Sequence, residues 1–267
     1  MSDPVSGGTA AALGLVQGLT EFLPVSSSGH VALGAFLFGE AHLPLPMVIA
    51  LHAGTLIATV AVLRLDVAAL LRSTLQIMRE PRRVTTTEDG KEWLGLLLAT
   101  VLTAAIGLSL EPHVESWSHS RSAVGLGLLV TAVALLATRR ASGERATLSL
   151  WAYGLVGLAQ GIAVIPGISR SGSTIAIAML LGMSSARAFR FSFLLSLPAI
   201  AGAVVLKLSD VAVLRELGTA GLVGGTVALA SGALCLVVLR KLVSQGHLWV
   251  FAIYLIPLAA ALLAGLL

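Results

Sequence analysis

The sequence predicts an all-α integral membrane protein, built as an inverted repeat with about six transmembrane helices and two re-entrant helical hairpins. Three observations carry this: the apolar composition, the placement of the charges, and a short pattern that recurs at a fixed spacing. The chain has 267 residues, of which 57% are hydrophobic and 11% charged, against about 25% charged in soluble domains. Mean hydropathy is +0.96. That composition excludes an ordinary soluble protein, and 267 residues form one membrane domain rather than two soluble ones. The net charge of +4 does not mark a nucleic-acid binder, because Lys and Arg sit between apolar runs rather than on one polar face. The single cysteine, Cys235, lies inside an apolar run, so no disulfide framework or cysteine metal site follows. Residues 1–23 lack Lys and Arg and a small-residue cleavage signature, and read as mature protein.

A spanning helix needs roughly 20 mostly apolar residues. Six segments come close: 43–63, 93–110, 122–138, 191–206, 217–239 and 248–267. The loop 64–92 carries Arg64, Arg72, Arg79, Arg82, Arg83 and Lys91, and is assigned to the cytoplasm. Counting crossings puts 111–121 outside and Arg139, Arg140 and Arg145 inside again. The link with Lys207, Asp210, Arg215 and Glu216 reads as outside, and Arg240 and Lys241 as inside.

Residues 148–190 then have both ends inside, and residues 1–42 both ends outside. Each must enter the membrane and return, from opposite faces, which is the arrangement of an inverted repeat. Gln17-Gly18 aligns with Gln160-Gly161, and Ser26-Ser27-Ser28-Gly29 with Ser169-Arg170-Ser171-Gly172, at one offset of 143. Pro24 and Pro166 precede the serines, one residue out of register. The expected division is a first repeat over about 1–110 with a hairpin at 5–40, and a second over about 148–240 with a hairpin at 148–190. Pro and Gly break both hairpins, and open backbone at membrane depth persists only inside protein or along a wet cavity. Both breaks are therefore expected to meet in one internal site.

Glu21 is the only acidic residue placed in the body of an apolar run. A buried carboxylate must be paired, protonated or bound to an ion. Gln17, four residues earlier, shares its helix face. His30 follows the first break, and the second contributes Arg170 among Ser169, Ser171, Ser173 and Thr174. An arginine fork with Ser/Gly turns opening helices suits a phosphate, and an apolar setting favours a lipid phosphate. Ser27 or the His30 imidazole could attack phosphorus, or an activated water could, with Glu21 as base or as holder of a divalent ion. Gln17 and Gln160 could instead satisfy backbone freed by the breaks. His52, inside the first full span, is either a packing group or part of the site. His42, His113, His119 and His247 read as solvated. Gly-rich stretches such as Gly221–Gly232 permit close helix packing, within one chain or between two.

The run Gln17-Gly18-Leu19-Thr20-Glu21-Phe22-Leu23-Pro24-Val25-Ser26-Ser27-Ser28-Gly29-His30 resembles the first signature of bacterial undecaprenyl-diphosphate phosphatases of the bacitracin-resistance type. Pro166-Gly167-Ile168-Ser169-Arg170-Ser171-Gly172-Ser173-Thr174-Ile175, followed by Phe191-Ser192-Phe193-Leu194-Leu195, resembles the second. The resemblance implies an inner-membrane hydrolase that removes the terminal phosphate of undecaprenyl diphosphate, recycling the lipid carrier for peptidoglycan and other envelope polymers. Its site would open to the periplasm. By position, Glu21, Ser27, His30 and Arg170 would be catalytic. Ser26, Ser28, Gly29, Ser169, Ser171, Gly172, Ser173 and Thr174 would hold the phosphates.

The resemblance also implies a divalent cation, Mg2+ or Ca2+, for which Glu21 and Gln17 are the candidate ligands, with His52 behind them. Bacitracin would compete for the lipid substrate, and a homodimer stays open. Many members have glutamate where this chain has Gln17, and a glutamine can ligate or orient water but cannot act as a base. His52 stands where other members often have glutamine. The competing reading is a lipid transporter, because broken helices meeting near the midplane are also a transporter architecture. A carrier needs no nucleophile, and the serine-histidine cluster exceeds what recognition requires.

Overall fold

The computed structural model describes residues 5–31, 43–208 and 218–266, with side chains as far as 205 in the second stretch. Lipid offers no partner to backbone N–H and C=O groups, so a chain this apolar satisfies them in helices. The helices are α1 (Gly7–Thr20), α2 (described over 27–31), α3 (Leu45–Val62), α4 (Arg64–Arg79), α5 (Arg83–Thr86) and α6 (Glu88–Ser118). They continue as α7 (Arg121–Ala137), α8 (Leu150–Ile162), α9 (Arg170–Leu180), α10 (Ser185–Leu208), α11 (Gly218–Ser244) and α12 (Ala252–Leu263). Five stretches among the described residues are long and apolar enough to cross a membrane: Leu45–Val62, Glu88–Ser118, Arg121–Arg140, Ser185–Val205 and Gly218–Ser244.

Several expected boundaries move. The sixth expected span, 248–267, is a short 3-10 turn over Leu248–Phe251 followed by the 12-residue α12. Segment 64–92, read as a loop, is mostly helical. Its Arg and Asp residues break the apolar pattern without breaking the helix: α4 buries Ile77 and leaves Leu71, Leu75 and Met78 exposed. The loop expected over 111–121 shrinks to residues 119–120, because α6 runs on through Pro112 to Ser118. Arg187 and Arg190 belong to the start of α10 rather than to the end of the second hairpin. His42, Asp210, Arg215 and Glu216 lie outside the described residues.

The second hairpin, α8 and α9, has its two ends tied together. Arg145 N–H donates to the Gly182 carbonyl at 3.0 Å, and Ser184 N–H donates back to Arg145 at 3.1 Å. Entry and exit therefore share one end of the bundle. α1 packs on α11 and α8 on α6, so the first arm of each hairpin lies against a long helix of the opposite half. These crossings are close because they are made of small residues. A Cβ at Gly14 would run into the Gly224 carbonyl, and one at Gly157 would meet Ala99 Cα at 2.5 Å. The Gly221–Gly232 stripe is thus occupied by α1 and α3 of the same chain.

An aromatic core fills the space below the breaks. Phe22, Phe189, Phe191 and Phe193 are fully buried, with Phe22 and Phe193 centroids 5.8 Å apart and Phe189 and Phe193 4.7 Å apart. Outward-facing Ile57, Val101, Val130, Leu234 and Val237 form the lipid-facing surface.

Candidate active site

The site is built where the two hairpins break. Helix α1 starts at an N-cap, Ser6, whose hydroxyl accepts from Thr9 N–H, and ends so that Gln17 and Glu21 stack on its inner face. Both are buried, Glu21 at 7% exposure. After five turn residues the chain reaches Ser26, whose φ of 71° is unusual for a residue with a side chain. Strain of this kind costs about 1–3 kcal/mol and persists only where neighbours enforce it. Here they do: Ser26 Oγ accepts from Gly167 N–H at 3.2 Å, and Ser26 O accepts from His30 Nδ1–H at 2.8 Å. The first bond joins the two breaks directly. Gly167, at φ +88°, turns the second one.

The second break is held by a residue that the sequence did not single out. Thr131 on α7 accepts from Ser169 N–H at 2.9 Å, with its hydroxyl within 3.1 Å of Gly167 O. Ser169 caps α9 by accepting from Gly172 N–H at 3.1 Å, which leaves Arg170 as the first helical residue. Helices α2 and α9 therefore both begin at the same place, where unpaired N–H groups and positive dipole ends favour an anion.

Arg170 pairs with Glu21 across the hairpins, its guanidinium donating to Oε1. The other oxygen, Oε2, accepts from Ser27 Oγ–H at 2.7 Å and from Gln17 Nε2–H at 3.1 Å. A carboxylate so placed orients one serine hydroxyl and can take its proton. Glu21, Ser27 and Arg170, but not Gln17, border a cavity of about 300 Å³, whose polar side also includes Ser26, Ser28, His52, Thr103, Gln160 and Ser169. Val48, Ile49, Ala199, Ile200, Ala203 and Val204, from α3 and α10, form its apolar wall. A polar head and an apolar chain would each find a matching side.

Several expected site residues are elsewhere. His30 does not line the cavity: Nδ1 donates to Ser26 O, and Nε2 accepts from Tyr254 O–H at 2.7 Å. Its geometry fits positioning the break rather than attacking phosphorus. Gly29, Ser171, Gly172, Ser173 and Thr174 are also off the cavity wall. Ser171 Oγ lies 3.3 Å from Ser169 Oγ, Gly172 fits against Pro24, and Thr174 bonds Ser192 Oγ at 2.5 Å, so these residues hold α9 in place. His52, expected behind the ligands, lines the cavity itself. Thr103, Gln160 and Tyr254 complete the surroundings, and only Gln160 carried a signal, its match to Gln17 at the repeat offset.

Gln17 and Glu21, the expected metal ligands, are hydrogen-bonded to each other, with Gln17 presenting its amide nitrogen and both Glu21 oxygens engaged. Among the described residues no group of three His, Cys, Asp or Glu side chains converges on a point.

A second charged network lies apart from this site. Arg190 on α10 donates from Nε to Asp66 at 2.7 Å and from Nη1 to Glu92 at 2.5 Å, and Arg187 lies 3.6 Å from the other Glu92 oxygen. Glu92 is 6% exposed, so Glu21 is not the sole buried acid.

The model of the family described as bacitracin resistance protein BacA matches residues 10–261. A protein of Korarchaeum cryptofilum named undecaprenyl-diphosphatase is 38% identical over 257 residues, covering 96% of this chain and 97% of that protein. One of Desulforapulum autotrophicum with the same name is 38% identical and covers 91% and 92%. One of Treponema denticola, again so named, is 36% identical and covers 95% of each. With a fold of broken hairpins, a serine-carboxylate-arginine site between them and matches that run almost end to end, this chain belongs to the bacitracin resistance protein BacA family.

Proposed function

We propose that this chain is an undecaprenyl-diphosphatase, hydrolysing the terminal phosphate of undecaprenyl diphosphate to give undecaprenyl phosphate and phosphate. The observation that carries the reading is the Ser27 hydroxyl 2.7 Å from a carboxylate that the other hairpin's arginine holds in place. The diphosphate sits at the starts of α2 and α9, and the polyprenyl chain runs along the α3 and α10 wall.

Ser27 Oγ attacks the terminal phosphorus in line while its proton passes to Glu21. The bond from phosphorus to the bridging oxygen breaks, and lipid monophosphate leaves. Arg170 gains strength at that moment. Once Glu21 is protonated its charge no longer occupies the guanidinium, which turns its full charge to the phosphoryl oxygens, an interaction larger in the transition state than in the ground state. A divalent cation, implied by the family resemblance, would be held near Glu21 and Gln17 and would help neutralise the charge of the diphosphate.

By the distribution of Arg and Lys, the α4 end of the bundle faces the cytoplasm of a plasma membrane, and the site opens on the outer side. Bacitracin would compete for the same lipid. Lipid transport through the same cavity does not call for a hydroxyl hydrogen-bonded to a carboxylate. Phosphate release from undecaprenyl diphosphate by detergent-purified protein tests the proposal. Release is expected, and its absence from folded protein overturns the reading.

A further inference from the structure

The hydrolysis above forms a phosphoserine, and its second half needs a base that Glu21 cannot supply. Glu21 holds the proton taken from Ser27, and that proton must return to Ser27 Oγ when the phosphate is released. We infer that His52 is the base for the attacking water in this second step, an inference that rests on the phosphatase reading. The imidazole on α3 is oriented for it. Nδ1 lies 2.9 Å from the Val48 carbonyl, which can only accept, so Nδ1 carries the hydrogen and Nε2 presents a lone pair. Among the described residues no hydrogen-bond partner takes Nε2, and His52 lines the cavity. His30 cannot substitute, since both of its ring nitrogens are engaged away from the cavity.

A second, independent feature points to the water. Gln160 on α8 lines the same cavity and donates its Nε2 hydrogens to Thr103 Oγ1 at 3.3 Å and Leu195 O at 3.2 Å. The Thr103 hydroxyl itself donates to Gly157 O, so both atoms act as acceptors and fix the amide orientation. Gln160 Oε1 is left buried without a partner. A buried orphan acceptor calls for a donor. His52 Nε2 and Gln160 Oε1 are two unused acceptors on one cavity, and they suit a molecule that donates, as water does and a fully ionised phosphoryl group does not.

The step balances. Water oxygen bonds to phosphorus as the bond to Ser27 Oγ breaks. One water proton goes to His52 Nε2 and the Glu21 proton goes to Ser27 Oγ. Phosphate leaves, and His52 then gives its proton to solvent.

The test uses full-length protein in detergent with undecaprenyl diphosphate labelled in its terminal phosphate. His52→Ala and His52→Gln, each checked for native elution, are expected to release about one lipid monophosphate per protein in a burst. They then stall with acid-stable label on Ser27, and turnover falls on the order of 10²–10⁴-fold. Glutamine is informative because it can orient water but cannot take its proton, and a member with glutamine here is no counterexample where it has glutamate at the place of Gln17, a base that this chain lacks there. Wild-type turnover in His52→Gln, or slowed turnover in either variant with neither burst nor label, would overturn the inference. Failure of the wild-type protein to release phosphate would instead strike the phosphatase reading itself.

Discussion

Two partly buried arginines, Arg170 and Arg190, hold carboxylates within the bundle, and only one of them shares its carboxylate with a hydroxyl. Arg190 is shared between two carboxylates: its Nε is bound to Asp66 and its Nη1 to Glu92, and both Glu92 oxygens are taken once Arg187 is counted. Arg170 binds a single carboxylate oxygen, and the other oxygen of that carboxylate holds a serine hydroxyl. The Arg190 cluster joins α4, α6 and α10 beside a cavity of its own, but among the described residues no hydroxyl is bonded to its carboxylates. The Arg170 pair joins two broken hairpins at a cavity with an apolar wall. Neither the ion pair nor the room beside it therefore marks the site; what marks it is the hydroxyl on the spare carboxylate oxygen.

The comparison can be broken at its strongest point first. Ser27→Ala is expected to reduce phosphate release to background with lipid binding kept, as read by kcat against KM. Arg170→Ala should lower kcat/KM about 10²–10³-fold, the cost of losing one strong donor to a developing charge. His30→Ala should cost up to about 10²-fold through misplacement of the Ser26 turn, with any phosphoserine still forming on Ser27. Arg190→Ala should leave activity per folded molecule nearly unchanged. It leaves the buried Glu92 with Arg187 alone, at 3.6 Å, and is expected to lower stability by up to about 3–5 kcal/mol, read as a fall in thermal unfolding temperature in detergent. A large loss of activity in folded Arg190→Ala protein would erase the distinction between the two clusters.

The Glu21–Arg170 pair was legible in the sequence for a physical reason. A carboxylate and a guanidinium inside apolar runs, each beside Pro, Gly and Ser, are costly unless they meet, so Glu21 and Arg170 announce each other. The Asp66–Arg190–Glu92 cluster carried no such signal. Its members sit at the polar ends of spans, where charge is ordinary, and they are 124 and 98 residues apart. The serines of α9 misled because composition does not distinguish a hydroxyl facing a cavity from one tying helices together. Ser171 and Thr174 share the motif with Arg170, yet helix periodicity turns them onto Leu23 and Ser192. His30 was favoured over His52 by its place beside the break, and only the packed helices show which ring reaches the cavity. Helix α4 was missed because its charges masked an apolar stripe.

A double-mutant cycle on kcat/KM for phosphate release, with Glu21→Gln, Arg170→Ala and the double variant, tests the claim that the two hairpins supply one catalytic unit. Groups acting as a unit are strongly non-additive. The double variant is therefore expected to be no slower than the slower single variant. Losses that multiply would show that Glu21 and Arg170 act separately and would contradict a shared site.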